Sequence, residues 1–127
     1  MPDNHLFEYA VIRVVPKVER EEFINIGVIL YCSAQKFLQC TLELNEKKLD
    51  ALCCDTDIDE LKSYMASFEK ICKGGKDAGP IGKLSLAERF RWLTATRSTI
   101  LQTSKVHPGL CQDALEMLQR LHRQLVQ

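Results

Sequence analysis

Apolar and polar positions divide this chain into a first third with a period of two and a remainder with a period near 3.6. Leu6–Val15 (LFEYAVIRVV) predicts a first strand. It puts Phe7, Tyr9, Val11, Arg13 and Val15 on one face and Leu6, Glu8, Ala10, Ile12 and Val14 on the other. Only Glu8 and Arg13 interrupt its apolar character, so it reads as central in a sheet, and Pro16 ends it. The polar stretch KVEREE is a loop. Phe23–Cys32 predicts a second strand with Ile24, Ile26, Val28, Leu30 and Cys32 on one face. Lys36–Leu44 predicts a third, with Leu38, Cys40, Leu42 and Leu44 alternating against Phe37, Gln39, Thr41 and Glu43. Short connections make these three an antiparallel meander.

From residue 45 the spacing changes. Asn45 can cap a short helix through Leu49 and Leu52, and Cys53-Cys54 reads as the pair of small residues closing it, with a redox sensor as the alternative. Thr56 or Asp57 can cap a longer helix carrying Ile58, Leu61, Tyr64, Met65, Phe68, Ile71 and Cys72 on one stripe, which Gly74-Gly75 stops. Residues 74–83 (GGKDAGPIGK) read as a loop. They fail as a phosphate-binding loop, because Asp77 stands where the first glycine is required and Leu84 where Ser or Thr is. Ser85 and Glu88 form a capping box for a helix to about Ala95. Ser98–Ser104 reads as a fourth strand, residues 105–109 as a turn, and Leu110–Val126 as a last helix. Its stripe is Cys111, Ala114, Leu118, Leu121 and Leu125, widened by Leu115 and Met117.

The expected fold is α+β: a mostly antiparallel sheet of about four strands, opening with a three-stranded meander, and helices packed on one face. The chain is expected to be a single domain over 1–127. It comprises the β-meander 6–44, a helical middle 45–73, the glycine-rich loop 74–83 and a C-terminal α-β-α unit 85–126. The place of the fourth strand in the sheet is not set by this pattern.

Composition narrows the function classes. With 127 residues, 46% of them apolar and 27% charged, the chain can bury a core without a metal or disulfide. No apolar run approaches the ~20 residues of a membrane helix, and MPDNHLFEYA lacks a signal-peptide pattern. A cytoplasmic protein is therefore expected, with no membrane partner. Its six cysteines, at 32, 40, 53, 54, 72 and 111, contain no Cys-x-x-Cys pair and read as free thiols, mostly buried. His107 and Cys111 alone do not make a zinc site, so no metal and no cofactor are expected.

Charge is balanced at seventeen basic to seventeen acidic residues, but five basic residues (Lys83, Arg89, Arg91, Arg97, Lys105) face one acidic residue (Glu88) between 83 and 105. That segment reads as an anion-facing surface or as ordinary solvated helix and loop. Arg13, mid-strand among apolar neighbours, needs a partner. A structural pair with Glu19, Glu21 or Glu22, with Asn25 nearby, and a ligand anion are both consistent with its position. Gly27 in mid-strand marks a bulge or a close approach, by a large side chain such as Trp92 or by a ligand reaching the backbone. The stretch from Arg97 to His107 is dense in hydrogen-bonding side chains, as a polar site or an exposed edge strand would be.

FEYAVIRVVPKVEREEFINIGVILYC and ERFRWLTATRSTILQTSKVHPG resemble the bacterial family catalogued as domain of unknown function 3037. The likeness reaches both ends of the chain. The first family motif maps to Arg13, Arg20, Glu21, Glu22, Phe23, Asn25 and Gly27. The second maps to Arg89, Trp92, Arg97, Ser98, Gln102, Ser104, Val106, His107 and Gly109, with Thr96 where members often carry proline. The resemblance implies no activity. It does imply neighbours: members are often encoded beside proteins resembling the kinases of persistence toxin–antitoxin modules.

The expected function is thus a small non-enzymatic interaction or regulatory protein, with a kinase-like protein as partner. A homodimer through the last helix, a sheet edge or a sheet face is a second form of association. The alternative is a phosphate- or nucleic-acid-handling enzyme or binding module. In it Arg13, Arg89 and Arg97 hold an anion, Glu22 or His107 moves protons, and Asn25, Gln102 and Ser104 orient the substrate.

Overall fold

A computed structural model describes residues 4–97 and 99–127. Three strands, β1 (His5–Val14), β2 (Ile24–Cys32) and β3 (Phe37–Leu42), form the expected antiparallel meander. The fourth sheet position, beside β1, is shared by two short strands, giving five in all. β4 (Leu101–Thr103) pairs with Ile12–Val14, and β5 (His107–Cys111) pairs with His5–Tyr9.

Ser104 spans the gap between β4 and β5. Its amide donates to the Val11 carbonyl (2.8 Å), and its hydroxyl accepts from the Val11 N–H (2.8 Å) and donates to the Lys105 carbonyl (2.9 Å). A side chain thus stands in for the backbone where the edge strand breaks.

β5 corrects the expected turn at 105–109. His107-Pro108-Gly109 has turn chemistry, but Pro108 opposite Glu8 lies on an edge strand, where a missing outward amide removes no ladder bond. Gly109 opposite Phe7 is required by the phenyl ring, since a Cβ there would come within 2.5 Å of Phe7 Cζ. The last helix, α4 (Ala114–Leu125), consequently starts four residues later than expected and is capped by Asp113. Gln35, at the β2–β3 turn, clasps this junction: it donates to the Gln112 carbonyl (2.7 Å) and accepts from the Ala114 amide (2.8 Å).

β2 carries a bulge. Gly27 pairs with Ile12 and Asn25 with Arg13, leaving Ile26 as an extra residue. The insertion shifts the alternation by one. Ile24 and Ile26 therefore join Ile29 and Tyr31 on one face, while Val28, Leu30 and Cys32 lie on the other, splitting the set expected on a single face. Gly27 is packed against β3 backbone, not against Trp92: a Cβ would sit 1.9 Å from the Thr41 carbonyl oxygen.

The sheet is covered on both sides. α1 (Glu46–Leu52), α2 (Ile58–Lys73) and α3 (Leu86–Leu93) pack on one face, as expected, where Leu49, Leu61, Phe68, Phe90 and Leu93 meet Ala10, Ile12, Val14, Ile26 and Ile29. α4 covers the opposite face, seating Ala114, Leu118 and Leu121 on Phe7, Val28, Leu30 and Cys32. The one-face arrangement thus holds for three helices and is corrected for the fourth. The physical reason is that β1 and β2 are apolar on both sides, and either face left bare would expose that surface.

Asn45, Asp57 and Ser85 cap α1, α2 and α3 as their positions suggested, and Cys53 closes α1. The glycine-rich segment is a pair of 3-10 turns, Lys76–Ala78 and Pro80–Lys83, tied by a bond from the Gly75 amide to the Gly82 carbonyl (3.2 Å). No helix among the described residues is long and apolar enough to cross a membrane.

Candidate functional site

The candidate polar residues are dispersed, and most make structural contacts. Arg13 stacks on the Phe23 ring, 4.0 Å from its centroid, and burial lowers its pKa. Its Nε is buried with no hydrogen-bond partner among the described residues. The pair with Glu19, Glu21 or Glu22 is not formed; Glu22 binds Arg20 instead (2.6 Å), at the surface. Asn25 and Gln102 flank Arg13 on β2 and β4. Asn25 Nδ2 donates to the Leu125 carbonyl at the end of α4 (3.1 Å), and Gln102 Nε2 to the Thr99 carbonyl (2.8 Å).

His107 faces Tyr9, their rings 5.4 Å apart. Tyr9 is four residues from Arg13, about 13 Å along a strand. Arg97 lies in a groove on the α2–α3 side, on the opposite face from Arg13 and His107. It stacks on Trp92, 4.1 Å from the ring centroid, and donates to the Trp92 carbonyl. Ser104 bridges β4 and β5. Arg13, Asn25 and Gln102 therefore form one row of strand partners, and Gln102 also lines the groove that holds Arg97; Glu22, Ser104 and His107 join neither.

The remaining basic residues of the 83–105 segment do not make one anion surface. Arg89 is buried and caps α2 through the Ile71 and Cys72 carbonyls (3.2 and 3.0 Å), a favourable place for a cation. Arg91 chelates both carboxylate oxygens of Glu8 (3.0 and 2.9 Å). Ser98, mapped to the second family motif, lies outside the described residues.

One cluster carried no sequence signal, because His122 on α4 meets Thr41 and Glu43 of the β3 segment only in the folded chain. Thr41 Oγ1 lies 2.7 Å from His122 Nδ1, and His122 Nε2 lies 3.5 Å from Glu43 Oε2. The order hydroxyl, imidazole, carboxylate resembles a nucleophile relay. The Val28 amide donates to that hydroxyl (3.0 Å), which also shares a hydrogen bond with Nδ1. The hydroxyl is part-buried between β3 and α4, so the trio fastens α4 to the sheet.

All six cysteines are free. Cys40 touches Cys72, whose thiol hydrogen bond, with burial, pushes the Cys40 pKa up. Cys111 is raised by burial and by Cys32. A raised pKa disfavours the thiolate, the reactive form. Cys54 is the exposed one. Among the described residues no group of three or more His, Cys, Asp or Glu could hold a metal ion.

A groove of about 280 Å3 lies between α2, α3 and β4; larger concavities of about 390 and 530 Å3 lie beside Cys40 and Cys72 and beside Asn45 and Val126. Phe68, Leu93 and Leu101 form the floor of the groove, and Tyr64, Trp92 and Arg97 its walls. Tyr64 and Trp92 remain 42% and 39% exposed and stand together on the groove.

A family model described as "Protein of unknown function (DUF3037)" matches residues 9–126. The chain belongs to this family. No curated protein and no solved structure matches it. The DUF3037 match runs from β1 to the end of α4, so it takes in the groove, the Arg13 row and the Thr41–His122–Glu43 trio alike.

Proposed function

We propose that this member of the family is a non-enzymatic interaction or regulatory protein, and that its partner docks in the groove walled by Tyr64, Trp92 and Arg97. The carrying observation is that two large aromatic side chains stand exposed over an apolar floor. Aromatic residues flanked by an arginine are the residue types that dominate binding energy at protein interfaces. The kinase-like proteins encoded beside family members are the first partner to try. The alternative, anion chemistry by Arg13, Arg97 and His107, draws little support from side chains on opposite faces of the sheet.

The test is co-expression with the adjacent kinase-like gene product, followed by gel filtration at micromolar concentration. Co-elution of the wild type, lost in Trp92→Ala and Tyr64→Ser, is the expected result. Separate elution of the wild-type proteins overturns the kinase-like assignment. Co-elution unaffected by either substitution moves the interface away from the groove.

A further inference from the structure

Resting on that interaction reading, we propose that the groove takes an acidic peptide segment of the partner: one large apolar side chain inserts between Tyr64 and Trp92, and a neighbouring carboxylate sits on Arg97. Three observations determine this chemistry. The first is size. A volume of about 280 Å3 is at the lower end of the roughly 300–1,000 Å3 of small-molecule pockets, which bury most of their ligand. Walls that are about 40% exposed suit a side chain carried on a passing backbone better than a free molecule.

The second is charge. Arg97 has no carboxylate partner among the described residues, and its partly buried guanidinium lies at the groove wall. Stacking on Trp92 fixes the guanidinium plane, and one N–H group is used on the Trp92 carbonyl. The remaining donors form a fork suited to a carboxylate.

The third is polarity across the groove. The Tyr64 hydroxyl donates to Glu60 (3.1 Å), which places a carboxylate near the α2 rim. An acidic occupant is therefore repelled from that rim and drawn to Arg97 on the opposite wall. A nucleic acid fits less well, because strands are held by several phosphate contacts at once. The nearby cations Arg89 and Arg91 are already engaged by helix α2 carbonyls and by Glu8.

Trp92 is the chain's one tryptophan, so its fluorescence reports the groove directly. The probes are a synthetic peptide with a phenylalanine flanked by aspartates, the same peptide with lysines for the aspartates, and one with serine for the phenylalanine. Phenylacetate and a short oligothymidylate complete the set. A saturable blue shift with the acidic phenylalanine peptide alone, weakening with added salt, is the expected result. Arg97→Gln should weaken it about tenfold, the scale of a charge-assisted contact, while Arg97→Lys retains part of it. Because Arg97 also braces Trp92, Tyr64→Ser serves as a second variant that leaves the arginine in place; it should also weaken binding.

Equal or tighter binding of the lysine peptide, phenylacetate or the oligonucleotide overturns the proposal in favour of that occupant. Co-elution with the kinase-like protein, lost in Trp92→Ala, together with no response to any acidic peptide, overturns the acidic assignment and leaves the interaction reading standing. The converse, peptide binding without co-elution, supports the acidic site and removes the kinase-like protein as its partner.

Discussion

Replacing Arg13 with methionine separates the contact this residue makes from the one its position in the sequence suggested. An arginine paired with a buried glutamate would leave that carboxylate stranded on mutation, at a cost of about 3–5 kcal/mol. Arg13 instead lies on Phe23, with its Nε buried and unpaired. The stacking on this half-exposed ring contributes about 0.5–1 kcal/mol. The orphaned donor costs about 1–3 kcal/mol, which methionine removes. Methionine also keeps an unbranched stem against the same neighbours. The net expectation is between no change and a gain of roughly 2.5 kcal/mol, the difference of those two ranges. For a chain of this length that is a melting temperature unchanged or raised, at roughly 4 °C per kcal/mol. Glu22→Gln, removing only a surface pair with Arg20, should stay within about 0.5 kcal/mol, and the double mutant should be additive. Urea and thermal unfolding of the three variants measure this. A loss of 2 kcal/mol or more in Arg13→Met, rescued by Glu22→Gln, would refute the reasoning.

Three further substitutions test the frame. Gly27→Ala forces a Cβ to within 1.9 Å of the Thr41 carbonyl and should cost about 3 kcal/mol or more, at the upper end of overpacking; an unchanged urea midpoint would contradict the close approach of β3. Thr41→Val keeps the shape but leaves the Val28 amide and His122 Nδ1 without a partner, so a loss of about 1–3 kcal/mol is expected in denaturant melts. A neutral result would mean that α4 is held by Leu118 and Leu121 alone. Ser104→Ala removes the acceptor of the Val11 amide, and hydrogen exchange of that amide should accelerate while that of Ile29 stays protected.

Local signals settled most of the elements. A cap or a backbone constraint involves residues a few positions apart, so Asn45, Asp57, Ser85 and Gly74 marked helix ends without reference to the rest of the molecule. The two-sided apolar character of β1 marked it as a central strand, but helices were expected on one face alone; only packing shows that α4 covers the other. Three features needed the folded chain. The bulge at Ile26 depends on how β2 meets β1, and one extra residue reverses every side chain beyond it. The strand at His107–Cys111 reads as a turn until β1 lies beside it, because Pro108 and Gly109 are tolerated only where the edge faces outward and Phe7 needs the space. The site depends on tertiary structure most of all. Arg13 and Arg97 look alike as cations among apolar residues, yet the sheet puts them on opposite faces, one over Phe23 and the other over Trp92. The groove exists only where Tyr64, Trp92 and Leu101, from three different elements, converge on one wall of the core.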